Sequence, residues 1–242
     1  MSSDTAPSQR STPSARPYSG VDNLEVMREA VNYNRYLLEL LRRSAPTEGK
    51  MLDFGAGTGT FALPMSEAGF DVTAVEPDEL LRRRLQSQGV RTAADIASLP
   101  DSRFAFAYTL NVLEHIEADA RALQQLYDKL APGRTLLIYV PAFPLLFTSM
   151  DAKVGHIRRY TRRVLVERAR NAGFAVEKVT YVDSLGFAAT LLFKLIGNSS
   201  GDVNRSLLRF YDRWLFPLSR LLDIAVGRWL GKNLLLIGRK PA

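Results

Sequence analysis

An α/β fold, with a mostly parallel sheet covered by helices on both faces, is what this 242-residue chain predicts. Three observations carry the expectation. Apolar runs of strand length alternate with segments of helical periodicity between residues 50 and 182. The first run breaks into alternate glycines, Gly55-Ala56-Gly57-Thr58-Gly59. The second ends on an acid, Glu76, twenty-one positions after Gly55. In such a sheet ligands bind beyond the carboxyl ends of the strands, near the point where strand order reverses.

The elements follow in order. Residues 24–43 place Leu24, Met27, Val31, Leu37 and Leu41 at roughly helical spacing. Strand 1 is expected at 50–54 and its helix at 58–68, strand 2 at 71–75 and its helix at 78–88. A short strand 3 is centred on 90–93, and strand 4 spans 104–110. A helix at 118–129 leads through the Pro132-Gly133 turn into strand 5 at 135–140. A helix at 161–172 precedes strand 6 at 175–182, and the last strand is 233–237. Two insertions interrupt the pattern, 141–160 and 183–231; the second is rich in Leu, Phe and Trp interleaved with arginines, and Pro217 is expected to divide its later part into two helices. The organisation read from this is a disordered tail at 1–20, a core at 21–182 that includes the 141–160 insertion, a helical cap at 183–231, and a last core strand within 232–242.

Composition narrows the chemistry. There is no cysteine, which excludes disulfides and thiolate metal sites and fits a reducing cytoplasm. The two histidines, His115 and His156, are far apart in sequence, so no histidine-rich metal site is expected. The formal charge of +7 is uneven: residues 151–170 and 201–242 each carry a net +5. That bias suits an anionic partner such as a phospholipid surface or a phosphorylated substrate, against a plain solvated surface as the rival. No recognised nucleic-acid-reading motif accompanies it. The first 20 residues hold six serines and three prolines without an apolar core, so no secretory signal is read. No apolar stretch reaches the roughly 20 residues of a spanning helix, which leaves a cytoplasmic protein, free or peripheral on the inner face of a membrane.

The glycine turn and the strand-end acid together make a Rossmann-like nucleotide site. Glycines permit a tight turn and close approach of backbone to ligand, and a carboxylate at the tip of strand 2 can accept both ribose hydroxyls. Two ligands compete, a nicotinamide dinucleotide and S-adenosylmethionine. Thr60 stands where the dinucleotide pattern requires its last glycine, and Asp53 stands where a dinucleotide-binding strand is ordinarily apolar. Both departures favour the methyl donor.

With these motifs in place the chain resembles the class I S-adenosylmethionine-dependent methyltransferases. "LDFGAGTGTFA" is similar to their first motif and "VTAVEPD" to the second. "AADIASLP", "YTLNVLEHI" and "LYDKLAPGRTLLIYVP" follow in the family's order. "AVNYNRYLLELL" and "PAFPLLFTSMDAKVGHIRRYT" look like a bacterial subgroup, often lipid- or glycan-associated, with N-Y-N-R and G-H-x-R-R-Y signatures. The resemblance implies a seven-stranded methyltransferase sheet with helices on both faces and a helical cap. It implies that Gly55, Ala56 and Gly57 pass beneath the methionine part of S-adenosylmethionine, with Asp53 orienting the loop or meeting the ammonium. Glu76 would hold the ribose, Asp95 the adenine amino group, and Ile96 the ring. Asn111 would lie by the methionine moiety, and Tyr33 and Asn34 would reach the carboxylate.

On the acceptor side, His115 and His156 are candidate bases, with an ordinary pKa near 6.5, and Tyr160 is a candidate donor or wall. Arg158 and Arg159 would clamp an anionic group. The expected activity is methyl transfer to a small-molecule or lipid-like acceptor, on oxygen ahead of carbon or nitrogen, without a metal. The rivals are a catalytically silent relative that binds the methyl donor or a membrane, and an NAD(P)-dependent oxidoreductase.

Overall fold

The computed structural model describes residues 26–196 and 204–242. The expected tail at 1–20, the start of the first helix at Leu24, and positions 197–203 of the cap lie outside the described residues. The strands are β1 (Lys50–Phe54), β2 (Asp71–Val75), β3 (Arg91–Ala93), β4 (Phe104–Leu110), β5 (Leu130–Pro141), β6 (Ala175–Val182) and β7 (Asn233–Arg239). They form one sheet in the order β3-β2-β1-β4-β5-β7-β6. The first five run parallel. β7 inserts antiparallel between β5 and β6. The row reverses between β1 and β4, so the loops leaving these two strands part and open a crevice at their carboxyl ends.

The helices are α1 (Val31–Ser44), α2 (Ala62–Glu67), α3 (Glu79–Ser87), α4 (Asp119–Lys129), α5 (Ser149–Lys153), α6 (Arg162–Asn171), α7 (Ser184–Ile196), α8 (Arg205–Phe210) and α9 (Phe216–Val226). Period-two alternation in the strands splits the core into two faces. Met51, Val72, Phe106, Tyr108, Leu137 and Tyr139 pack with Leu37 and Leu41 of α1, Met65 of α2 and Leu85 of α3. Leu52, Phe54, Ala107, Leu136 and Ile138 pack on the other face with Leu123 and Leu126 of α4 and Leu165 and Ala169 of α6. β4 is buried along its whole length, as a central strand covered on both sides must be.

The helix expected at 24–43 is interrupted at residues 29–30 and runs on as α1, and β7 extends past 237 to Arg239. Three other elements depart from their expected bounds for a local reason. The helix expected at 58–68 starts only at Ala62, because Gly57 and Gly59 adopt φ of 53° and 81° and hold the turn open. β5 starts at Leu130 rather than 135: Pro132 and Gly133 are looped out within the strand, and the pairing jumps from Phe104↔Leu130 to Phe106↔Thr135. Pro217 does not separate two helices with a loop. The chain stays helical from Arg205 to Val226, through a π-helical stretch at Tyr211–Leu215, and Pro217 follows that stretch as the second residue of α9.

The helices after β6 are tied back to the core by carboxylates. Asp223 accepts from the backbone N–H groups of Asp183 and Ser184, each at 2.9 Å, and so caps α7. Asp212, in the π stretch, accepts from the N–H groups of Asn32 and Tyr33, both at 2.9 Å, and so caps α1 from a segment 180 residues away. Phe216 then meets Tyr33 and Tyr36 with ring centroids 5.5 and 5.9 Å apart.

Candidate active site

At the end of β1 the chain turns through Gly55, whose φ is 84° and whose N–H donates to the Val75 carbonyl at 2.9 Å. A Cβ there would stand 2.5 Å from Val112, so the loop after β4 presses directly on this glycine. A Cβ at Gly59 would meet Leu85 at 2.5 Å, which is close packing of the turn on α3. Gly55 and Gly59 therefore answer to the chain's own packing. Gly57 differs, because its N–H donates to the Glu76 carboxylate at 2.7 Å and joins the turn to the tip of β2.

Glu76 is buried and receives a second N–H, that of Asp78, at 2.9 Å on its other oxygen. Burial raises its pKa, against the pull of those two N–H groups. Each oxygen has a further lone pair for a hydroxyl. Asp53 sits one residue inside β1, paired in register with Tyr108 of β4. It is buried, and its Oδ2 receives no hydrogen bond among the described residues. Burial pushes this carboxyl up to about 7; the Tyr108 hydroxyl opposes the shift and nearby Glu76 adds to it.

Beyond β4, Asn111 takes a left-handed conformation, φ 55°, and its N–H donates to the Tyr139 carbonyl at 2.8 Å. Its amide donates to the Tyr33 hydroxyl at 3.2 Å, so α1 and the end of β4 meet at this pair. Burial raises the Tyr33 pKa. Asn34 is turned the other way: its amide donates to the Met27 carbonyl at 2.9 Å. Asp95 caps the short turn Ile96–Ser98 by accepting from the Ala97 N–H at 2.9 Å, and its side chain is exposed. Ile96 is packed into the core beneath it.

The 141–160 insertion comes back across the end of β4. Gly155, with φ 82°, turns the chain so that the Ile157 N–H reaches the Glu114 carbonyl at 2.9 Å. His115 and His156, 41 positions apart, come together edge to face with ring centroids 4.8 Å apart. His115 Nδ1 donates to the Gly155 carbonyl at 3.1 Å and His156 Nδ1 donates to Asp151 at 2.7 Å. Burial, then His156, lowers the His115 pKa to about 4, which makes it a far weaker base than an ordinary imidazole. Glu114 is fully buried, and burial pushes its carboxyl up to about 8 against the pull of Arg159.

Arg158, Arg159 and Tyr160, expected to clamp and wall the acceptor, are each held by a buried carboxylate. Arg159 is buried, and its guanidinium donates from Nε and from one terminal nitrogen to the two oxygens of Asp151, at 2.9 and 3.0 Å. Burial would raise the Asp151 pKa, but His156 and Arg159 hold it well below the usual carboxylate range. Arg158 pairs with Asp119 at 2.9 Å, and the buried Tyr160 hydroxyl donates to the same Asp119 at 2.7 Å. A buried carboxylate already supplies the partner that an incoming anion would have to displace. Arg159, through Asp151, frames His156, whereas Arg158 and Tyr160 meet at Asp119. Sequence reasoning passed over Asp119, Asp151 and Asp212. Only Asp151 left a signal, as the end of a Thr148-x-x-Asp151 capping box whose two reciprocal bonds are present.

A family model described as a methyltransferase domain matches residues 27–179. The chain belongs to the methyltransferase-domain family. Its methyl donor is S-adenosylmethionine. Among similar proteins, an uncharacterised methyltransferase of Mycolicibacterium gilvum is 25% identical over 203 residues, covering 78% of this chain and 75% of that one. In fold, the chain resembles a Thermotoga maritima S-adenosylmethionine-dependent methyltransferase, a possible histamine N-methyltransferase, with TM-score 0.61 and 19% identity over 92% of this chain and 97% of that one. It also resembles phosphoethanolamine N-methyltransferase 2 of Haemonchus contortus, in complex with S-adenosyl-L-methionine, with TM-score 0.58 and 19% identity over 88% of this chain and 53% of that one. At these identities the two structures speak for the fold.

The residues of this methyltransferase fit its cofactor. The Asp53 oxygen without a hydrogen bond suits a cationic ammonium, and Glu76 has spare acceptor capacity beside the Gly57 turn.

Proposed function

We propose that this methyltransferase moves a methyl group from S-adenosylmethionine to a small-molecule or lipid-like acceptor, on oxygen ahead of carbon or nitrogen. One observation carries the reading: Asp53, the Gly57–Glu76 pair and the Asn111–Tyr33 pair converge at the carboxyl ends of β1, β2 and β4. In this reading Glu76 holds the ribose hydroxyls, and Asp53 takes the ammonium in its ionised form. Gly55, Ala56 and Gly57 pass beneath the methionine part. Asn111 and Tyr33 bound its carboxylate end. Asp95 accepts from the adenine amino group above Ile96, and Asn34 supports the amino-terminal turn instead of touching the cofactor.

The methyl sits on a sulfonium and is already activated. The protein's task is to hold nucleophile, methyl carbon and sulfur in line, and alignment of this kind contributes up to about 7–11 kcal/mol in ideal systems. The acceptor's lone pair forms the new bond as the carbon–sulfur bond breaks, and S-adenosylhomocysteine leaves. In this reading His115 and His156 stand on the acceptor side of the crevice. With Asp151 and Arg159 behind them, they position the acceptor.

Calorimetry with S-adenosylhomocysteine tests the site. The wild type is expected to bind in the micromolar range, and Gly57→Arg, which sets a bulky side chain in the turn beside Glu76, to bind at least about 100-fold more weakly, about 2.7 kcal/mol. Unchanged affinity in a variant with a native circular-dichroism spectrum overturns the assignment. NADH, titrated in parallel, is expected to show no heat.

A lipid surface is the partner favoured for α8 and α9. Leu207, Phe210, Trp214, Leu218 and Leu221 recur at steps of three and four residues and are all exposed. Arg213 and Arg228 lie over the Trp214 and Trp229 rings at 5.4 and 5.9 Å, which joins cations to the same surface. An apolar stripe edged by guanidinium groups is the composition of an interfacial helix on anionic lipid. Among the described residues no helix is long and apolar enough to cross a membrane.

A further inference from the structure

Glu114 poses a question that cofactor binding does not answer. Its side chain is completely buried, and among the described residues neither carboxylate oxygen receives a hydrogen bond. Burying an ionised carboxylate without donors is costly, so the group rests as the neutral acid unless a cation beside it restores the carboxylate. His156 Nε2 stands 3.6 Å from Oε1, too far for a hydrogen bond. One ligand atom from each of Glu114, His115 and His156 lies within 4.8 Å of the others.

The tautomers are also set. His115 Nδ1 faces the Gly155 carbonyl and His156 Nδ1 faces the Asp151 carboxylate, so each Nδ1 carries the proton and each Nε2 the lone pair. Carboxylate or carbonyl support behind an imidazole is how metal-binding histidines are oriented and made more basic. Asp151 is itself fixed by Arg159 and by the Thr148 N–H at 2.8 Å.

We propose that Glu114, His115 and His156 form a three-ligand site for a divalent first-row transition-metal ion, with open positions that take an oxygen of the acceptor. The second half rests on the methyl-transfer reading; the first does not. Two imidazoles and one carboxylate suit Zn²⁺, Mn²⁺ or Fe²⁺ and argue against Ca²⁺ or Mg²⁺, which prefer all-oxygen sites. Ligands about 2.1 Å from a tetrahedral ion stand about 3.4 Å apart, so a contraction of up to about 1.4 Å closes the triangle. Three protein ligands leave room for a fourth, as in a catalytic rather than a structural site. An acceptor hydroxyl on the ion is acidified. Its proton passes to water, and the oxygen lone pair forms the carbon–oxygen bond. The carbon–sulfur electrons remain on sulfur, giving a methyl ether, neutral S-adenosylhomocysteine and one released proton.

Untagged full-length protein, freed of metal by chelation, is titrated with Co²⁺ and then Zn²⁺. With two histidines and no cysteine in the chain, a visible cobalt band has few alternative sources. One equivalent is expected to bind with that band, and Zn²⁺ to displace it. His156→Gln and Glu114→Gln are each expected to weaken binding by about 100-fold, while S-adenosylhomocysteine affinity, measured without metal, changes little. If Glu114→Gln does not fold, the more accessible His156→Gln decides. No stoichiometric uptake by the wild type, or uptake indifferent to these substitutions, overturns the site. Metal uptake together with failure to bind S-adenosylhomocysteine overturns the methyl-transfer reading and leaves the metal site standing.

Discussion

Asp53 meets two opposed demands. Its burial beside Tyr108 favours the neutral acid, with a pKa of about 7, whereas the ammonium it is proposed to hold favours the carboxylate. Because the folded pKa lies above that of an unfolded aspartate, the group's contribution to stability is complete below about pH 4 and is lost as pH rises through about 7. Ligand binding has the opposite sign. Below pH 7 the complex must release a proton, so affinity for S-adenosylhomocysteine is expected to rise by up to about tenfold per pH unit toward 7 and to level off by pH 8. In Asp53→Asn that rise should vanish, and affinity at pH 7.5 should fall by about tenfold, about 1.4 kcal/mol. Calorimetry from pH 6 to 8 on both proteins checks it; parallel pH profiles would remove Asp53 from the cofactor site.

Elements are joined across the chain by carboxylates more than by apolar contact alone. Asp212 stands in for the side-chain cap that Ala30 cannot give α1, accepting the second and third N–H groups of that helix. Its π-helical neighbourhood also seats Phe216 against Tyr33, whose hydroxyl meets Asn111. Asp212→Ala is expected to cost about 1–2 kcal/mol in urea unfolding. It should also weaken S-adenosylhomocysteine binding by loosening Tyr33, with Asp212→Asn recovering part of both. A loss of stability without any change in affinity would show that the cap steadies α1 but does not position the crevice.

For the whole molecule, the distribution of apolar surface matters more than its amount. α7–α9 bury Phe216, Ser219 and Asp212 inward and leave the stripe from Leu207 to Leu221 outward. Vesicles containing phosphatidylglycerol are expected to carry the wild type upward in a flotation gradient, and neutral phosphatidylcholine vesicles to carry much less. The double substitution Leu218→Glu with Leu221→Glu should abolish flotation while S-adenosylhomocysteine affinity stays within about twofold, since neither side chain packs inward. Equal flotation of the two proteins, or concentration-dependent dimerisation removed by the same substitutions, would assign the stripe to something other than lipid.

The parallel sheet, its order of elements and the Gly57–Glu76 junction were legible along the chain, because local signals report them. Strand periodicity, glycine φ and the acid at a strand tip are properties of a few adjacent residues. Tertiary folding decided the rest. His115 and His156 meet only because Gly155 turns the insertion back onto the end of β4, and no periodicity encodes a contact over 41 positions. Arg158, Arg159 and Tyr160 read as substrate groups in sequence, yet Asp119 and Asp151 claim them in space. A charge reveals its type in the sequence; its partner depends on which buried carboxylate the fold brings within about 3 Å.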